Sequence, residues 1–333
     1  MFVNIVPVLS RPPDRVLGAA PGAPRVDNGR AAPLSSAIRM KPPAFEYVAA
    51  RTTEEALAEL ARDAEDTRLL AGGQSLMPIL NMRLATPRRL IDLNRVGELA
   101  YIREHDGGVA IGAMTRQRAV EKSALVARCV PLLADAILWV GHFQIRNRGT
   151  IGGSLAHADP AAELPAVAAC LDARVTVRGP TGTRTLTPDQ LYLTYLTTTL
   201  APTEILTEVW FPTAPARTGH AWLEFARRHG DYALVGVAAA VTLVDDSIGE
   251  ARLALTGVGA LPVRARDAER RLVGRRPDDA ALADAAERVK QVIEPQSDIH
   301  ATAGYRRHLA GILTLRALRL AIERARRAPP VTA

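Results

Sequence analysis

The sequence predicts an α+β protein of two domains, and three observations support this prediction. Strand-like and helical patterns alternate from Met40 onward in a chain of 333 residues, which has room for two domains. A Pro-, Thr- and Ala-rich break at Pro212–Gly219 is typical of a linker. Beyond the break, strand-like runs precede helical patterns, an order that favours a smaller α+β domain. We therefore expect domains over residues 40–214 and 219–327.

The first 39 residues differ in composition from the rest of the chain. They contain six prolines and several glycines and show no sustained hydrophobic periodicity. Such a segment cannot bury enough apolar surface to order itself. We therefore expect residues 1–39 to be a disordered extension outside the fold, with Met40 a candidate translation start.

Strands and helices are predicted in alternation through the first domain. Phe45–Val48 suits a short strand, and Thr52-x-x-Glu55 is a capping box that begins a helix. Arg68–Ala71 predicts a strand that runs directly into a glycine pair. Further strands are predicted at Leu90–Leu93, Val109–Gly112, Ala173–Arg178 and Ile205–Phe211, and helices at Leu132–Val140 and Leu164–Leu171.

The second domain is predicted to place three strands before three helices. The predicted strands are Ala221–Arg228, Val235–Asp245 and Arg252–Thr256, and the last two are joined by a turn at 245–249. The apolar run at 232–244 is too short to cross a bilayer, which takes about 20 residues, and suits a buried strand. The predicted helices are Ala265–Val273, Ala280–Ile293 and Tyr305–Arg326.

Composition and charge exclude several classes of protein. The net charge is +7 and the pI about 9.9, but the arginines are scattered, so we expect solvated surface charge and no nucleic-acid partner. The two cysteines, Cys129 and Cys170, are too few for a disulfide framework, an iron–sulfur cluster or a Cys-rich zinc site. We expect both to be buried packing residues. Electron-transfer chemistry in this chain would therefore need an organic cofactor.

Membrane, secretion, metal and hydrolase patterns are not found in the sequence. No segment is long and apolar enough to span a bilayer, and no signal-peptide pattern is present, so we expect a cytoplasmic protein. The seven histidines lack the spacings of helical zinc sites, so no metal site is expected. Ser154, His157 and Asp159 are close in sequence but lack a nucleophile elbow, and no catalytic residue is predicted.

The first candidate ligand site is the segment 71–76, Ala-Gly-Gly-Gln-Ser-Leu. Two glycines directly after a strand let the backbone bend tightly, and exposed N–H groups there can bind phosphate oxygens. Gln74 and Ser75 add neutral donors. The segment is neither a Walker loop nor a Rossmann motif. A purely structural turn is the alternative interpretation.

A second glycine pair lies in the segment 148–155, Arg-Gly-Thr-Ile-Gly-Gly-Ser-Leu. A helix predicted after it would favour negative charge at its N-terminus. Glu163 could accept hydrogen bonds from a ribose or an adenine amine. The alternative is a second tight turn with a helix cap at Asp159. Two such loops in one chain favour a pyrophosphate held from two sides.

Three motifs, in order, resemble the flavin subunit of the molybdenum hydroxylases, the family of the carbon monoxide dehydrogenase medium subunit and the xanthine dehydrogenase FAD subunit. They are LLAGGQSLMP at 69–78, IRNRGTIGGS at 145–154 and RRHGDYA at 227–233. The resemblance spans roughly residues 40–326. It implies a two-lobed FAD-binding domain of the vanillyl-alcohol-oxidase (PCMH) type, with lobes of about 40–93 and 94–214, followed by the smaller α+β domain.

The resemblance also implies which residues contact FAD. The segments 71–75 and 150–154 would hold the pyrophosphate, Leu206 would lie beside the cofactor, and Tyr232 would lie near the isoalloxazine face. Since neither glycine segment contains His or Cys, we expect FAD to be bound non-covalently. The predicted cofactor-binding residues are Ala71, Gly72, Gly73, Gln74, Ser75, Leu76, Thr150, Ile151, Gly152, Gly153, Ser154, Asp159, Glu163, Leu206, Asp231 and Tyr232.

The sequence departs from the family pattern at three places. Ser154 stands where many members have Asn, and Thr194–Leu196 replaces a common Gly-Tyr-Arg core. Many members carry a lysine near Leu223 and Glu224, whereas this chain has none there. The last difference changes the charge expected around the flavin.

The function that the resemblance implies is electron transfer within a larger complex. A large molybdenum-cofactor subunit would oxidise the substrate, a small subunit with two [2Fe–2S] clusters would relay electrons, and this chain would pass them through FAD to a quinone, NAD or oxygen. We expect a dimer of such heterotrimers. Two alternatives are a self-contained flavin oxidoreductase, with Tyr232 and His229 as candidate proton-transfer groups, and an interaction module without FAD.

Overall fold

A computed structural model describes residues 41–328, so the predicted extension at 1–39 lies outside the described residues. The first lobe is a parallel three-stranded sheet with two helices. Its elements are β1 (Glu46–Ala49), α1 (Thr53–Arg62), β2 (Thr67–Leu70), α2 (Leu76–Asn81) and β3 (Arg89–Asp92). The strand order is β1-β3-β2. Because parallel strands end at one edge, the segments that follow β2 and β3 emerge side by side.

The predicted capping box of α1 forms only in half. The Thr52 side chain accepts a hydrogen bond from the Glu55 N–H, as predicted. The Glu55 carboxylate, however, accepts from the N–H of Arg51 at 2.8 Å, one residue before the position that a full capping box requires.

The second lobe is a five-stranded antiparallel sheet covered by short helices. Its elements are β4 (Ile102–His105), β5 (Gly108–Gly112), α3 (Gln117–Glu121), α4 (Ala124–Cys129), α5 (Pro131–Ala136), α6 (Phe143–Arg148), α7 (Ile151–His157), α8 (Glu163–Cys170), β6 (Arg174–Gly179), β7 (Gly182–Leu186), α9 (Pro188–Leu191), β8 (Tyr192–Thr194), β9 (Thr197–Thr198) and β10 (Ile205–Pro212). The sheet order is β4-β5-β10-β6-β7, and β8 and β9 form a separate hairpin. Phe211 and Ile111 are fully buried in its core, and Cys129 and Cys170 are buried there as predicted.

The C-terminal part is a four-stranded antiparallel sheet with three helices. Its elements are β11 (Thr218–Phe225), β12 (Val235–Val244), β13 (Ser247–Thr256), β14 (Val263–Arg264), α10 (Arg266–Leu272), α11 (Asp279–Val292) and α12 (Ala303–Arg327). The strands lie in the order β11-β12-β13-β14. Together with the preceding lobes, this arrangement confirms the predicted α+β class.

The strand β12 is apolar along its length because both of its faces are buried. Val237, Ala239 and Val241 belong to the core formed with the C-terminal helices, whereas Ala238 belongs to the core of the second lobe. Helix α12 packs on one side of this sheet and α8 reaches it from the second lobe. A strand buried on both faces is a nearly continuous apolar run, so the predicted buried strand is confirmed.

Several predicted boundaries differ from the structure; β11, for example, lies three residues before the predicted strand Ala221–Arg228. Helix α5 ends at Ala136 and a 3₁₀ turn continues over Ile137–Trp139, where one long helix was expected. Strand β13 begins at Ser247, five residues before its predicted start, because Asp245 adopts a φ of 51° and closes a tight turn. In the part of the chain that the structure describes, no helix has the length and apolarity needed to cross a membrane.

Candidate functional site

The first glycine segment is a turn between β2 and α2, as predicted. Gly73 has a φ of +73°, a conformation that a residue with a side chain rarely adopts. A Cβ at Gly72 would lie 2.4 Å from the carbonyl oxygen of Arg148, so no side chain fits there. The Gln74 amide donates a hydrogen bond to the Gly72 carbonyl at 3.0 Å and braces the turn. The two glycines therefore have different roles within one turn.

The second glycine segment is a buried helix, so the prediction of a second loop there is wrong. Thr150 caps α7 by accepting a hydrogen bond from the Gly153 N–H, and all residues of α7 are buried. The N–H groups of Ile151 and Gly152 donate to the carbonyls of Thr115 and Ala113, at 3.1 and 2.9 Å. These three donors are therefore already bonded within the chain.

The suggested helix cap at Asp159 is also wrong. Helix α8 is preceded by Ala162, which occupies the N-cap position without a side-chain hydrogen bond. The Asp159 carboxylate accepts instead from the Ala161 N–H at 2.9 Å, in the turn that leads from α7 to α8. Asp159 therefore lies half-buried in a turn, outside the helix.

A chain of hydrogen bonds joins the two glycine segments. Asn94, just after β3, donates to the Ala71 carbonyl at 2.9 Å. Arg116 donates to the Asn94 side-chain oxygen at 2.5 Å and to the Arg148 carbonyl at 2.6 Å. Each lobe therefore contributes one segment to a single site, and Asn94 and Arg116 hold the two segments together.

The Tyr232 side chain, in the third sequence motif, lies close to residues of both lobes, including Ser75 of the first motif. Ser75 is close enough to lower the pKa of the Tyr232 hydroxyl, and Asp159, Glu163 and Tyr195 are close enough to raise it. Burial of the hydroxyl, with a smaller contribution from Asp159, raises the pKa of Tyr232 to about 12. The residue as a whole is 61% exposed. The ring is therefore open to solvent while its hydroxyl points into the protein.

Tyr232 and its neighbours line a cleft of about 1180 Å³ between the second lobe and the C-terminal part. The second lobe supplies Asp159 and Tyr195 to its lining, and the C-terminal part supplies Arg227, Asp231 and Tyr232. His229 is not among the lining residues; its ring packs on Trp139, with centroids 5.5 Å apart. The cleft therefore brings Asp159, Asp231 and Tyr232 together but not the His229–Tyr232 pair.

The walls of the cleft are fixed to each other by hydrogen bonds between the second lobe and the C-terminal part. The Thr256 hydroxyl lies 2.7 Å from the Pro160 carbonyl and 2.9 Å from that of Ala162. The Gly257 N–H donates to the same Pro160 carbonyl at 2.8 Å. These bonds position the turn that carries Asp159 against the C-terminal sheet.

Two buried carboxyl groups lie behind the cleft. Glu163 begins α8 and Glu224 lies on β11, and both are less than one-tenth exposed. Burial raises the pKa of each carboxyl. The Glu163 carboxyl raises the pKa of Glu224 further, and Asp159 does the same to Glu163. The Trp222 indole N–H donates to Glu224 at 3.1 Å. Glu224 thus stands in the region where many relatives were expected to carry a lysine, and with its raised pKa it leaves that region without a positive charge.

The remaining predicted residues are buried away from the cleft. Leu206 is 3% exposed in the core of the second lobe, together with Ile151 and Leu155. Leu76 is fully buried beneath the first glycine turn, and Ser154 is 4% exposed within α7. The structure therefore gathers only part of the predicted set at one open surface.

The donor set at this surface fits a flavin dinucleotide. Among residues 41–328, no acceptor engages the N–H groups of Gly73, Gln74 and Ser75, which are the groups a pyrophosphate needs. The carboxyl groups of Asp159 and Glu163 can accept hydrogen bonds from sugar hydroxyls. The exposed Tyr232 ring offers an aromatic face to a planar ring system.

Sequence reasoning missed Asn94, Arg116 and Tyr195. A polar residue directly after a parallel strand can indicate a ligand site, and Asn94 follows β3 at the edge of the sheet where the glycine turn also emerges. Arg116 carries no such signal, since its role depends on a carbonyl 32 residues away. Tyr195 was noted only as a departure from the family pattern.

Comparison with known proteins agrees with the geometry. The model of the FAD-binding domain in molybdopterin dehydrogenase matches residues 43–214, and that of the CO dehydrogenase flavoprotein C-terminal domain matches residues 220–321. The chain is 42% identical, over 86% of its length and 97% of the relative, to the 6-hydroxypseudooxynicotine dehydrogenase complex subunit alpha of Paenarthrobacter nicotinovorans. It is 37% identical, over 85% of its length and 98% of the relative, to the carbon monoxide dehydrogenase medium chain of Hydrogenophaga pseudoflava.

Solved structures give the same result. Carbon monoxide dehydrogenase from Hydrogenophaga pseudoflava matches with a TM-score of 0.84 at 38% identity, covering 85% of this chain and 99% of that one. Quinoline 2-oxidoreductase from Pseudomonas putida matches with a TM-score of 0.82 at 38% identity, covering 86% of this chain and 99% of that one. The chain therefore belongs to the FAD-binding medium-subunit family of the molybdenum hydroxylases, the family of the carbon monoxide dehydrogenase medium chain and the xanthine dehydrogenase FAD-binding subunit.

Proposed function

We propose that this chain is the electron-transfer subunit of a molybdenum hydroxylase complex. It takes electrons from a small [2Fe–2S] subunit, holds them on non-covalently bound FAD and releases them to an external acceptor. Substrate oxidation takes place on a large subunit that carries the molybdenum cofactor. The substrate is therefore chosen outside this chain.

The observation that carries this proposal is the convergence at Tyr232 of residues from both lobes and the C-terminal part. Ser75 comes from the first lobe, Asp159 and Glu163 from the second, and Tyr232 from the C-terminal part. A ligand that spans these segments needs both a phosphate-binding end and a planar aromatic end. FAD has both. The matched ranges, 43–214 and 220–321, support domains over residues 40–214 and 219–327.

Each part of the site has a separate task in binding and orientation. The turn at 72–75 offers backbone N–H groups to the pyrophosphate, and Asn94 and Arg116 keep that turn against the second lobe. Asp159 and Glu163 accept hydrogen bonds from the cofactor, and Tyr232 covers the edge of the flavin. When bound, FAD supplies the ability to accept electrons singly and to release them in pairs.

The proposed partners rest on the names of the relatives. One is a subunit of a dehydrogenase complex, and two others are medium chains of carbon monoxide dehydrogenases. The matches cover 97–98% of these relatives. We propose the corresponding heterotrimer, present as a dimer, for this protein.

The alternative of a self-contained oxidoreductase needs a proton-transfer group beside Tyr232 in the cleft. The candidate, His229, packs against Trp139 instead. The alternative of an interaction module without FAD does not explain the conformation of Gly73, which keeps its turn open to a ligand. Neither alternative is favoured by an observation of its own.

Acid precipitation and reconstitution test the proposal. The purified chain should release its yellow colour into the supernatant as FAD, and dithionite should reduce the bound flavin. Organic substrates should not bleach the isolated chain, and they should do so once the molybdenum and iron–sulfur subunits are added. Release of FMN, or substrate-dependent bleaching of the isolated chain, would contradict the proposal and favour a self-contained oxidoreductase.

A further inference from the structure

Arg146 lies in the second sequence motif, on α6, and its side chain is buried away from the cleft. One guanidinium nitrogen, Nη1, donates to the backbone carbonyls of Val140 and Gly141 at 3.0 and 2.9 Å. The Nε group donates to the Glu121 carboxylate on α3, at 2.9 Å. A single side chain therefore holds the loop 138–142 against the second lobe.

The loop 138–142 carries two aromatic rings that pack on the third motif. The Trp139 ring lies on the His229 ring with centroids 5.5 Å apart, and the His142 ring stacks on His229 with centroids 6.5 Å apart. Gly230 comes next, with a φ of +90°, and a Cβ there would lie 2.4 Å from the His142 ring. The third motif therefore rests directly on this loop.

A short turn connects this contact to Tyr232. The Asp231 N–H donates to the Arg228 carbonyl at 3.1 Å, so His229 and Gly230 are the central residues of a β-turn. Tyr232 is the residue that follows the turn. A change in the position of His229 is therefore transmitted along the backbone to Tyr232.

We propose that Arg146 is a positioning residue for FAD binding, which acts on the cofactor through the loop 138–142 and Tyr232. The proposal rests on the function argued above, in which Tyr232 covers the edge of the flavin. Arginine suits this role because its planar fork can donate to a carboxylate and to main-chain carbonyls at the same time, whereas lysine has a single nitrogen. Loss of these donors frees the loop and leaves every group that we place at the cofactor intact.

The ion pair with Glu121 gives Arg146 a second role, in stability. The side chains of Arg146 and Glu121 are 8% and 11% exposed, and Arg118 pairs with the same carboxylate. Breaking a buried ion pair destabilises a protein whatever else its members do. A lower Tm alone therefore does not identify the positioning role.

Two substitutions separate these roles in the full chain. Arg146→Lys keeps a positive charge for Glu121 but cannot reach the carboxylate and the loop carbonyls together, whereas Glu121→Gln keeps an acceptor for the Arg146 Nε and leaves the loop bonds in place. Both should lower Tm. Only Arg146→Lys should raise the Kd for FAD, by about fivefold, while Glu121→Gln stays within about twofold of the parent. Fluorescence titration of the folded apoproteins measures both values.

A double-mutant cycle tests whether Arg146 acts through Tyr232. In a Tyr232→Ala background, which should itself weaken FAD binding, Arg146→Lys should change the Kd by less than about twofold, because the side chain that it positions is absent. An equal change in both backgrounds would overturn the proposal. So would parental FAD affinity in Arg146→Lys, or an effect of Glu121→Gln as large as that of Arg146→Lys.

The imidazole proton resonances of His229 report on the loop without FAD. Since the Trp139 ring lies on His229, its ring current shifts these resonances, which a His229→Gln variant identifies in the NMR spectrum of the apoprotein. Arg146→Lys should move them and Glu121→Gln should not; unmoved resonances in Arg146→Lys would overturn the proposal. If the chain still binds FAD in that case, the electron-transfer function stands and only the role of Arg146 is wrong. A chain that binds no FAD would overturn both.

Discussion

The two glycine segments are similar in sequence and different in structure. The segment at 71–76 is an open turn after a parallel strand, with Gly73 at a φ of +73°. The segment at 150–154 is capped and then helical, and it is buried throughout. In the first, N–H groups are left for a ligand, whereas in the second they bond to Ala113, Thr115 and the Thr150 side chain.

The difference shows that a glycine can be required at a position for more than one physical reason. Gly73 is needed for its backbone conformation, whereas Gly152 is needed for close packing, since a Cβ there would lie 2.5 Å from the Cβ of Ala113. Gly72 is also a packing glycine, against the backbone of Arg148. We infer that the second segment supports the site by fixing the first, and that the first provides the phosphate donors.

The largest expected effect is on stability, from a change in the helical segment. Gly152→Ala places a methyl group into Ala113 and should lower the free energy of unfolding by about 3 kcal/mol, and Tm by about 6–12 °C. Differential scanning calorimetry measures this. The control is Gly304→Ala, a helical glycine whose added Cβ meets no atom within 4 Å. Equal melting temperatures for the two variants would mean that α7 does not pack on Ala113.

A smaller effect is expected from the residue that joins the segments. Arg116→Ala removes hydrogen bonds to Asn94 and to the Arg148 carbonyl, and should cost about 2 kcal/mol of stability. FAD affinity should fall as well, because the turn loses its support. Arg118→Ala is a matched control, since Glu121 keeps its ion pair with Arg146. Calorimetry and fluorescence titration with FAD should separate the two variants. If they behave alike, Arg116 does not hold the glycine turn in place.

The smallest expected effect concerns the carboxyl pair that follows the helical segment. The pKa values of Glu163 and Glu224 are raised by burial, so the folded protein retains protons that the unfolded chain loses. Stability should therefore fall as the pH rises above about 5. Asp159 also raises the pKa of Glu163, whereas Arg146 lowers it. The Trp222 indole N–H donates a hydrogen bond to Glu224.

Glu224→Gln removes this titration while keeping an acceptor for the indole N–H. Its Tm relative to the parent protein should increase between about pH 5 and pH 9. Glu65→Gln, an exposed position, is the control and should show no such trend. A Glu224→Gln profile parallel to that of the parent would show that the pair is not protonated in the folded state.

Local patterns in the sequence predict the fold better than they predict the site. The strand before Gly72 and the strand Val235–Val244 follow from short apolar runs with clear ends, and both are confirmed. The helical form of 151–157 could not be predicted in this way, because the Gly-Gly pair has low helix propensity and the helix is stabilised by burial. Tertiary packing determines the conformation of that segment.

Contacts between distant segments explain the rest of what was missed. Asn94 and Arg116 act through the carbonyls of Ala71 and Arg148, which only the folded chain brings together. Sequence motifs identified the segments that contain Ser75 and Tyr232, but they could not supply the residues that hold those segments in place. The predicted contacts of FAD with individual residues remain predictions.

The most direct test of the account compares the two glycine segments through FAD affinity. Gly73→Ala strains the turn, where a Cβ would press on Leu70 and Met77 at 3.2 and 3.3 Å, and it should cost about 1 kcal/mol of stability. Its Kd for FAD, measured by fluorescence titration of the folded apoprotein, should rise at least about tenfold, whereas folded Gly152→Ala should stay within about threefold of the parent. If Gly152→Ala loses FAD affinity as much as Gly73→Ala does, or if Gly73→Ala retains parental affinity, the assignment of the phosphate donors to the first segment is contradicted.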